Sequence, residues 1–278
     1  MNDLLAKTRE LCHLFEIKPA RSKGQNFLIN EKIYDDLVKA ADLKPEDTVL
    51  EIGPGLGFLT AKLAKKVKKV IAVELDDQLA DYLQTGIDAQ GLDNVEIING
   101  DILRVNLDSR LNENYKIVAN IPYNISSLFL RLFLSARHKP DLLVLMLQKE
   151  VAERIIATPP DMSILAVSVQ YYGEPEIIRL VKAGNFWPEP KVDSAIIKIM
   201  VKAEEAGLDD KKFFQIVRIG FSAKRKMLKN NLAAGLKSDQ KKTTNILVEQ
   251  GLDPKIRAED LSLADWQKLF AALKVFVL

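Results

Sequence analysis

Cysteine and histidine are nearly missing from this chain of 278 residues, which has one cysteine, Cys12, and two histidines, His13 and His138. One cysteine cannot form an internal disulfide, and these three residues do not make a convincing zinc site. With so few histidines, Ser–His–Asp catalysis is also poorly supported. We therefore expect a protein without structural metal or disulfide chemistry.

Long apolar runs are missing as well. No stretch approaches the roughly 18–20 apolar residues that a membrane-spanning helix needs. The amino-terminal segment carries charges of both signs and does not have the basic start, apolar stretch and cleavage site of a secretory signal. Since 47% of the residues are hydrophobic, the chain has ample material for a core. These features predict a globular, cytoplasmic protein that we expect to be monomeric.

The chain between residues 48 and 147 alternates short apolar runs with helical stretches. Runs of this kind are typical of strands buried on both faces of a parallel sheet, so the pattern predicts a doubly wound α/β domain. The predicted strands are 48–53, 69–74, 95–100, 115–121 and 142–147.

The pattern changes after residue 150. Residues 162–172 are predicted to form a buried helix, and 174–182 and 193–201 two further strands. The polar segment 202–210 fits a linker, and everything after 211 has helical periodicity. We therefore predict a first domain at 1–207 and a small all-α domain at 208–278.

The carboxyl-terminal region is basic. Residues 205–278 contain 14 Lys and Arg against 9 Asp and Glu, and residues 218–242 contain eight basic residues and one acid. A local excess of this size predicts a phosphate-binding surface, although a solvated helix face explains a basic stretch equally well. The candidate residues are Arg218, Lys224, Arg225, Lys226 and Lys229.

A glycine-rich loop follows the first predicted strand of the α/β domain. It contains Gly53, Gly55 and Gly57, in a spacing that matches neither the dinucleotide fingerprint nor the phosphate loop. Glu74 ends the next strand, where a carboxylate can accept both hydroxyls of a ribose. Asp101 follows the third strand, where a carboxylate can accept a hydrogen bond from an adenine amino group. Ligands of such sheets bind beyond the carboxyl ends of the strands.

The fourth strand ends in the sequence Asn120-Ile121-Pro122-Tyr123. It resembles the catalytic motif of S-adenosylmethionine-dependent methyltransferases that act on exocyclic amino groups. The Asn120 side-chain oxygen and the Ile121 carbonyl could accept both N–H bonds of an adenine amino group, which stabilises charge developing on its nitrogen. Pro122 stiffens the turn, and Tyr123 could stack on a base rotated out of its helix.

Taken together, residues 15–275 resemble the ribosomal RNA adenine dimethyltransferase family, and most closely its bacterial small-subunit type. The segments that carry the resemblance are 18–30, EIGPGLGFLT, VELD, NGD, NIPYNIS, NFWPEPKVDSA and FSAKRKMLKNNL. The resemblance implies a class I S-adenosylmethionine-dependent methyltransferase fold and dimethylation of two adjacent adenosines near the 3′ end of 16S rRNA, in a small-subunit precursor. It also implies the cofactor S-adenosylmethionine, released as S-adenosylhomocysteine.

The resemblance extends to single residues. It assigns Tyr123 and Phe186 as aromatics that sandwich the target base. Where the family commonly has Arg-Arg-Lys-Thr-Leu, this chain has Lys224-Arg225-Lys226-Met227-Leu228. Lysine in place of the first arginine keeps the charge but not the guanidinium fork, and methionine in place of threonine removes a hydroxyl. The implied cofactor contacts are Asn26, Leu28, Gly53, Gly55, Glu74, Asp101 and Asn120.

Three other functions remain open at this point. A 23S rRNA adenine methyltransferase of the macrolide-resistance type shares the cofactor motifs. A non-catalytic ribosome-assembly factor on the same fold would have no need for the Asn120 amide. A DNA adenine methyltransferase would normally need a larger recognition domain than the roughly 70 residues left after the linker.

Overall fold

A computed structural model describes residues 3–19, 24–111, 114–202 and 209–274. The chain divides into two compact units, Met1–Ala152 with Glu174–Val201, and Glu153–Gly173 with Lys202–Leu278. The helices are α1 (Asp3–Leu14), α2 (Glu31–Ala40), α3 (Phe58–Ala64), α4 (Asp77–Ala89), α5 (Ser126–Leu134), α6 (Lys149–Ile155), α7 (Ile164–Tyr172), α8 (Asp210–Gly220), α9 (Leu228–Gly235), α10 (Gln240–Glu249) and α11 (Leu263–Leu273). The strands are β1 (Phe27–Leu28), β2 (Thr48–Ile52), β3 (Lys69–Glu74), β4 (Val95–Asn99), β5 (Lys116–Asn120), β6 (Leu142–Gln148), β7 (Gly173–Val181), β8 (Phe186–Trp187) and β9 (Ser194–Val201).

The first unit is built on a seven-stranded sheet with the order β4-β3-β2-β5-β6-β9-β7. The five strands from β2 to β6 run parallel, and β9 is antiparallel to β6. All five residues of β2 are buried, as expected for a central strand with helices on both faces. The predicted doubly wound, mostly parallel sheet is therefore confirmed.

The strand register aligns the carboxyl ends at one edge of the sheet. Ile52 at the end of β2 lies opposite Val73, and Glu74 at the end of β3 lies opposite Asn99. Asn120 at the end of β5 lies opposite Met146. This edge collects the loops in which the sequence predicted the functional residues.

Helix starts fix the loops at this edge. The Asp76 side chain caps α4 by accepting the Leu79 N–H, and Asn30 caps α2 in the same way. The two-stranded pair β1–β8 lies beside the sheet, with Leu28 opposite Phe186. Leu28 and Phe186 are both buried in the core cluster that covers one face of the sheet.

The second unit is all helical. Tyr171 of α7 stacks on Phe213 of α8 with ring centroids 4.6 Å apart. Tyr171 and Tyr172 both donate hydrogen bonds to the Asp210 carboxylate, at 2.7 and 2.9 Å. The helix at 162–172 was predicted, but it belongs to this unit through its apolar face.

The predicted domain boundary at 207/208 is therefore corrected. The second unit takes in residues 153–173, and the chain returns to the first unit for β7 and β9. The sequence showed only one polar linker, at 202–210, so it gave no sign that residues 153–173 are inserted from the second unit. Their helix is apolar enough to pack in either unit. None of the helices described is long and apolar enough to cross a membrane.

Candidate active site

Six of the seven residues predicted to contact the cofactor line one cavity at the carboxyl edge of the sheet. Pro122 of the predicted catalytic turn lines it too. Four separate stretches meet here, namely the segment that includes β1, the loop after β2, the end of β3 and the end of β5. The six residues are Asn26, Leu28, Gly53, Gly55, Glu74 and Asn120.

Glu74 is held firmly at the wall of this cavity. Its Oε2 accepts a hydrogen bond from the Gly55 N–H at 3.0 Å, and its Oε1 accepts one from the Asp76 N–H at 3.0 Å. Burial raises the pKa of the Glu74 carboxyl, and the two N–H groups act in the opposite direction. Each oxygen keeps a second lone pair, so the carboxylate can also accept two ligand hydroxyls.

The glycine loop depends on conformations that other residues rarely adopt. Gly55 has a φ of +56°, and a Cβ there would lie 3.2 Å from the Phe27 ring. Gly57 starts α3 with a φ of +76°, and a Cβ there would lie 2.5 Å from Leu83 Cδ1. The loop can keep this backbone path because its glycines have no side chains.

Asp101 is the predicted cofactor residue that the structure does not place in the cavity lining. Its neighbours Gly100 and Ile102 line the cavity, whereas its own Oδ1 accepts the Leu103 N–H at 3.0 Å. The guanidinium of Arg104 lies 3.6 Å from the other oxygen. The contact of Asp101 with an adenine amino group therefore stays a prediction.

Asn120 and Ile121 begin the turn after β5. Asn120 lines the cavity, and its side chain has no hydrogen-bond partner within the described part of the chain. Ile121 is buried, and its N–H donates to the Met146 carbonyl at 3.3 Å. The backbone of the turn is therefore fixed by β6, while the Asn120 amide is free to bind a ligand.

The two predicted stacking aromatics differ in their surroundings. Tyr123 is half-buried, and its hydroxyl lies 2.7 Å from the Ser194 Oγ. Phe186 is only 2% exposed and packs in the core cluster with Leu28 and Ile196. A base stacks on an exposed ring face, which Phe186 does not offer in this arrangement, so the aromatic sandwich of Tyr123 and Phe186 stays a prediction.

Sequence reasoning missed a buried carboxyl group in the cavity. Glu51 lies in β2 and is 1% exposed, and its Oε2 has no hydrogen-bond partner in the described residues. Burial raises the pKa of Glu51 to about 8, and the negative charge of Glu74 adds to the effect. A buried acid in the middle of an apolar strand was the signal that could have identified it.

Three more lining residues had gone unassigned. The Gln25 Nε2 donates to the Asp76 Oδ2 at 3.2 Å, which links the segment before β1 to the loop after β3. Leu75 lines the cavity and is 59% exposed, an unusual position for a leucine. Gln25, Leu75 and Asp76 all lie in the segments 18–30 and VELD, so the sequence contained a signal for them.

The predicted basic residues lie in the second unit. Lys224, Arg225 and Lys226 are exposed, and they occupy the turn between α8 and α9 rather than the predicted helical stretch. The Asn231 Nδ2 holds this turn by donating to the carbonyls of Gly220 at 2.6 Å and Ala223 at 3.1 Å. We call residues 224–226 the basic turn.

The basic residues are free of acidic partners. Within the described ranges, no carboxylate lies within 4.0 Å of Arg218, Lys229 or the basic turn. The linker acids are engaged elsewhere, since Asp209 caps α8 and Asp210 binds two tyrosines. Asp209 and Asp210 therefore do not pair with these basic side chains.

The sheet order, the glycine loop and the acid at the end of β3 together define a class I S-adenosylmethionine-dependent methyltransferase fold. Two solved structures share it. A dimethyladenosine transferase from Plasmodium falciparum is 30% identical with a TM-score of 0.80, covering 90% of this chain and 98% of its own. The 23S rRNA methyltransferase ErmE is 27% identical with a TM-score of 0.74, covering 90% and 100%.

Sequence comparison gives the family. Residues 18–274 match the family described as ribosomal RNA adenine dimethylase, and the chain belongs to it. A protein from Dehalococcoides mccartyi named ribosomal RNA small subunit methyltransferase A is 43% identical over 270 residues, covering 96% of this chain and 92% of its own. A protein of the same name from Pelotomaculum thermopropionicum is 40% identical over 280 residues, covering 95% and 94%.

Proposed function

We propose that this chain transfers methyl groups from S-adenosylmethionine to the amino groups of two adjacent adenosines near the 3′ end of 16S rRNA during small-subunit assembly. The observation that carries the proposal is the Asn120 amide, which is unpartnered among the described residues and lines the same cavity as Glu74. The names of the bacterial relatives, at 40–43% identity, support the small-subunit substrate.

The residues of the cavity fit this cofactor. Glu74 is placed to accept the ribose hydroxyls, and the unpaired Oε2 of Glu51 can form a hydrogen bond with a polar group of the ligand. The glycine loop lets the backbone approach the ligand closely, and Leu75 offers an exposed apolar surface for an adenine ring. When bound, the cofactor supplies a methyl group on a sulfonium, which is activated without a metal or a strong base.

The catalytic role of the turn after β5 is positioning. In the proposed complex, the Asn120 side-chain oxygen and the Ile121 carbonyl accept the two N–H bonds of the adenine amino group. The nitrogen lone pair then points to the methyl group, and positive charge developing on the nitrogen is stabilised by oriented dipoles. Pro122 and the Ile121–Met146 hydrogen bond keep the turn rigid.

RNA binding is assigned to both units. Tyr123 stacks on the rotated base in the first unit, and Arg218, Lys229 and the basic turn contact phosphates from the second. Phosphate contacts of this kind position the RNA without reading its sequence.

Methyl transfer from labelled cofactor tests the function. We expect incorporation into small subunits lacking these methyl groups, with two methyl groups on each of two adjacent adenosines by mass spectrometry. Incorporation into 23S rRNA instead would favour the activity named for ErmE, and incorporation into DNA a different substrate class altogether. RNA binding without any transfer would leave only an assembly factor.

A further inference from the structure

Tyr123 is held at both ends by buried serines. Its backbone carbonyl accepts a hydrogen bond from the Ser126 Oγ at 3.2 Å, and its phenol hydroxyl pairs with the Ser194 Oγ at 2.7 Å. Ser126 and Ser194 are both buried, with relative exposures of 2% and 0%. A half-buried tyrosine fixed in this way has few alternative rotamers.

The contact between Tyr123 and Ser194 spans the carboxyl edge of the sheet. Asn120 ends β5, which pairs with β6, and β6 in turn pairs with β9, where Gln148 lies opposite Ser194. The Tyr123 hydroxyl therefore reaches across the end of β6 to the first residue of β9. Thus β9, which begins 71 residues later in the chain, holds the ring of Tyr123 in the turn after β5.

The start of β9 is itself held rigidly. The residue before Ser194 is Asp193, whose carboxylate accepts the Ala183 N–H at 3.0 Å and pairs with the Lys182 Nζ at 2.9 Å. The Asp193 carbonyl accepts the Lys149 N–H at 3.0 Å. The Ser194 hydroxyl thus has a fixed position from which it can orient another side chain.

We propose that Ser194 is a positioning residue for methyl transfer: its hydroxyl fixes the Tyr123 ring in the orientation that receives the target base. The proposal rests on the proposed function, in which Tyr123 stacks on the rotated adenine. A ring that is already ordered loses less freedom when the base arrives, so the hydrogen bond favours the bound state. Tyr123 is the less buried of the two predicted stacking aromatics, since Phe186 is only 2% exposed.

A double-mutant cycle tests this role. We expect Ser194→Ala and Tyr123→Phe each to lower kcat/KM for the rRNA substrate by about three- to tenfold, the scale of one hydrogen bond. Cofactor affinity should stay within twofold of the wild-type value. Because Tyr123→Phe keeps the ring and removes only the partner hydroxyl, the double variant should be no slower than either single variant.

Two matched controls separate positioning from folding. Tyr115→Phe removes a buried tyrosine hydroxyl that donates to the His138 carbonyl at 3.1 Å, just before the opposite end of β5. Thr48→Val removes a buried hydroxyl at the amino end of β2. Both controls should keep the wild-type kcat/KM, even where they lower the melting temperature.

A fluorescent adenine analogue, 2-aminopurine, placed at the target position gives a second measurement. Ser194→Ala should reduce the fluorescence change that accompanies base rotation and stacking. Equal rates for Ser194→Ala and wild type would overturn the proposal, as would losses that simply multiply in the double variant. If instead Tyr123→Ala methylates at the wild-type rate, the stacking role in the proposed function is wrong. This variant is not part of the double-mutant cycle, so failure of the proposed function can be told apart from failure of the role of Ser194.

Discussion

The Glu74 carboxylate accepts the Gly55 N–H at 3.0 Å, and this hydrogen bond joins the end of β3 to the glycine loop after β2. The same carboxylate accepts the Asp76 N–H, so one buried side chain fixes two loops of the cavity. The residue proposed to bind the ribose therefore also shapes the wall around it. Its removal should affect both folding and cofactor binding.

Glu74→Ala should lower cofactor affinity by about tenfold or more, because it leaves two ligand hydroxyls and two backbone N–H groups without an acceptor. The free energy of unfolding should fall by about 1–3 kcal/mol for the same reason. Titration calorimetry and urea unfolding measure the two effects. Glu96→Gln, which removes a half-buried carboxylate of β4 that pairs with Lys69 and Arg110, is the control and should leave cofactor affinity unchanged. Wild-type affinity in Glu74→Ala would exclude the ribose contact.

Asn120→Ala should slow methyl transfer by roughly 100-fold, the scale for removing one oriented polar group where charge develops. Cofactor affinity should fall much less, since the Glu74 and glycine-loop contacts remain. Single-turnover methylation with saturating cofactor measures the step directly. Asn99→Ala, at the end of β4, removes an amide that binds Asp77 and should keep the wild-type rate. A normal rate in Asn120→Ala would mean that another group accepts the amino protons.

Glu51 should make stability fall with rising pH, which is opposite to the usual effect of a carboxylate. Its pKa is about 8 in the folded chain and 4.5 for an ordinary exposed glutamate, so the folded state binds the extra proton between these values. The stabilisation is complete below about pH 4.5 and is lost as the pH rises through 8. Urea unfolding from pH 5 to 9 should show this slope.

Glu51→Gln is the matching variant, because an amide of the same shape does not titrate. It should flatten the slope between pH 5 and 9 and be more stable than wild type above pH 8. Glu74 also has a raised pKa and contributes a slope of the same sign, so a residual slope should remain. An identical slope in Glu51→Gln and wild type would show that Glu51 is ionised in the folded chain.

The strands and the cavity were predictable because each depends on local sequence. Apolar runs such as the one ending at Glu74 are typical of strands buried on both faces of a parallel sheet, and the loops after parallel strands meet at one edge. The burial of Phe186 was not predictable, since it depends on the pairing of β8 with β1 about 160 residues earlier. The placement of residues 153–173 depends in the same way on packing against helices that come later in the chain.

Phe186→Ala should lower stability, because the ring is buried in the core cluster. Removal of a buried phenylalanine from the core costs about 3–5 kcal/mol, because the apolar packing around the ring disappears and a cavity remains. We expect a lower melting temperature and a parallel loss of cofactor binding and methylation. Tyr123→Ala is the comparison and should weaken methylation while cofactor affinity is kept. A stable Phe186→Ala that binds cofactor normally but has lost methylation would instead support the stacking role predicted from sequence.

Neutralising the basic turn should weaken RNA binding without affecting the cofactor. Its three side chains are exposed and have no acidic partner among the described residues, so they are available for phosphates. We replace Lys224, Arg225 and Lys226 by Gln. The slope of log affinity for RNA against log salt concentration should become shallower by about 0.7–0.9 for each phosphate that is no longer neutralised. A triple Gln variant at Lys237, Lys241 and Lys242, which are also exposed, removes the same charge elsewhere in the second unit and should have the smaller effect. If the turn variant loses thermal stability while its salt slope stays at the wild-type value, the turn holds the fold together and does not bind RNA.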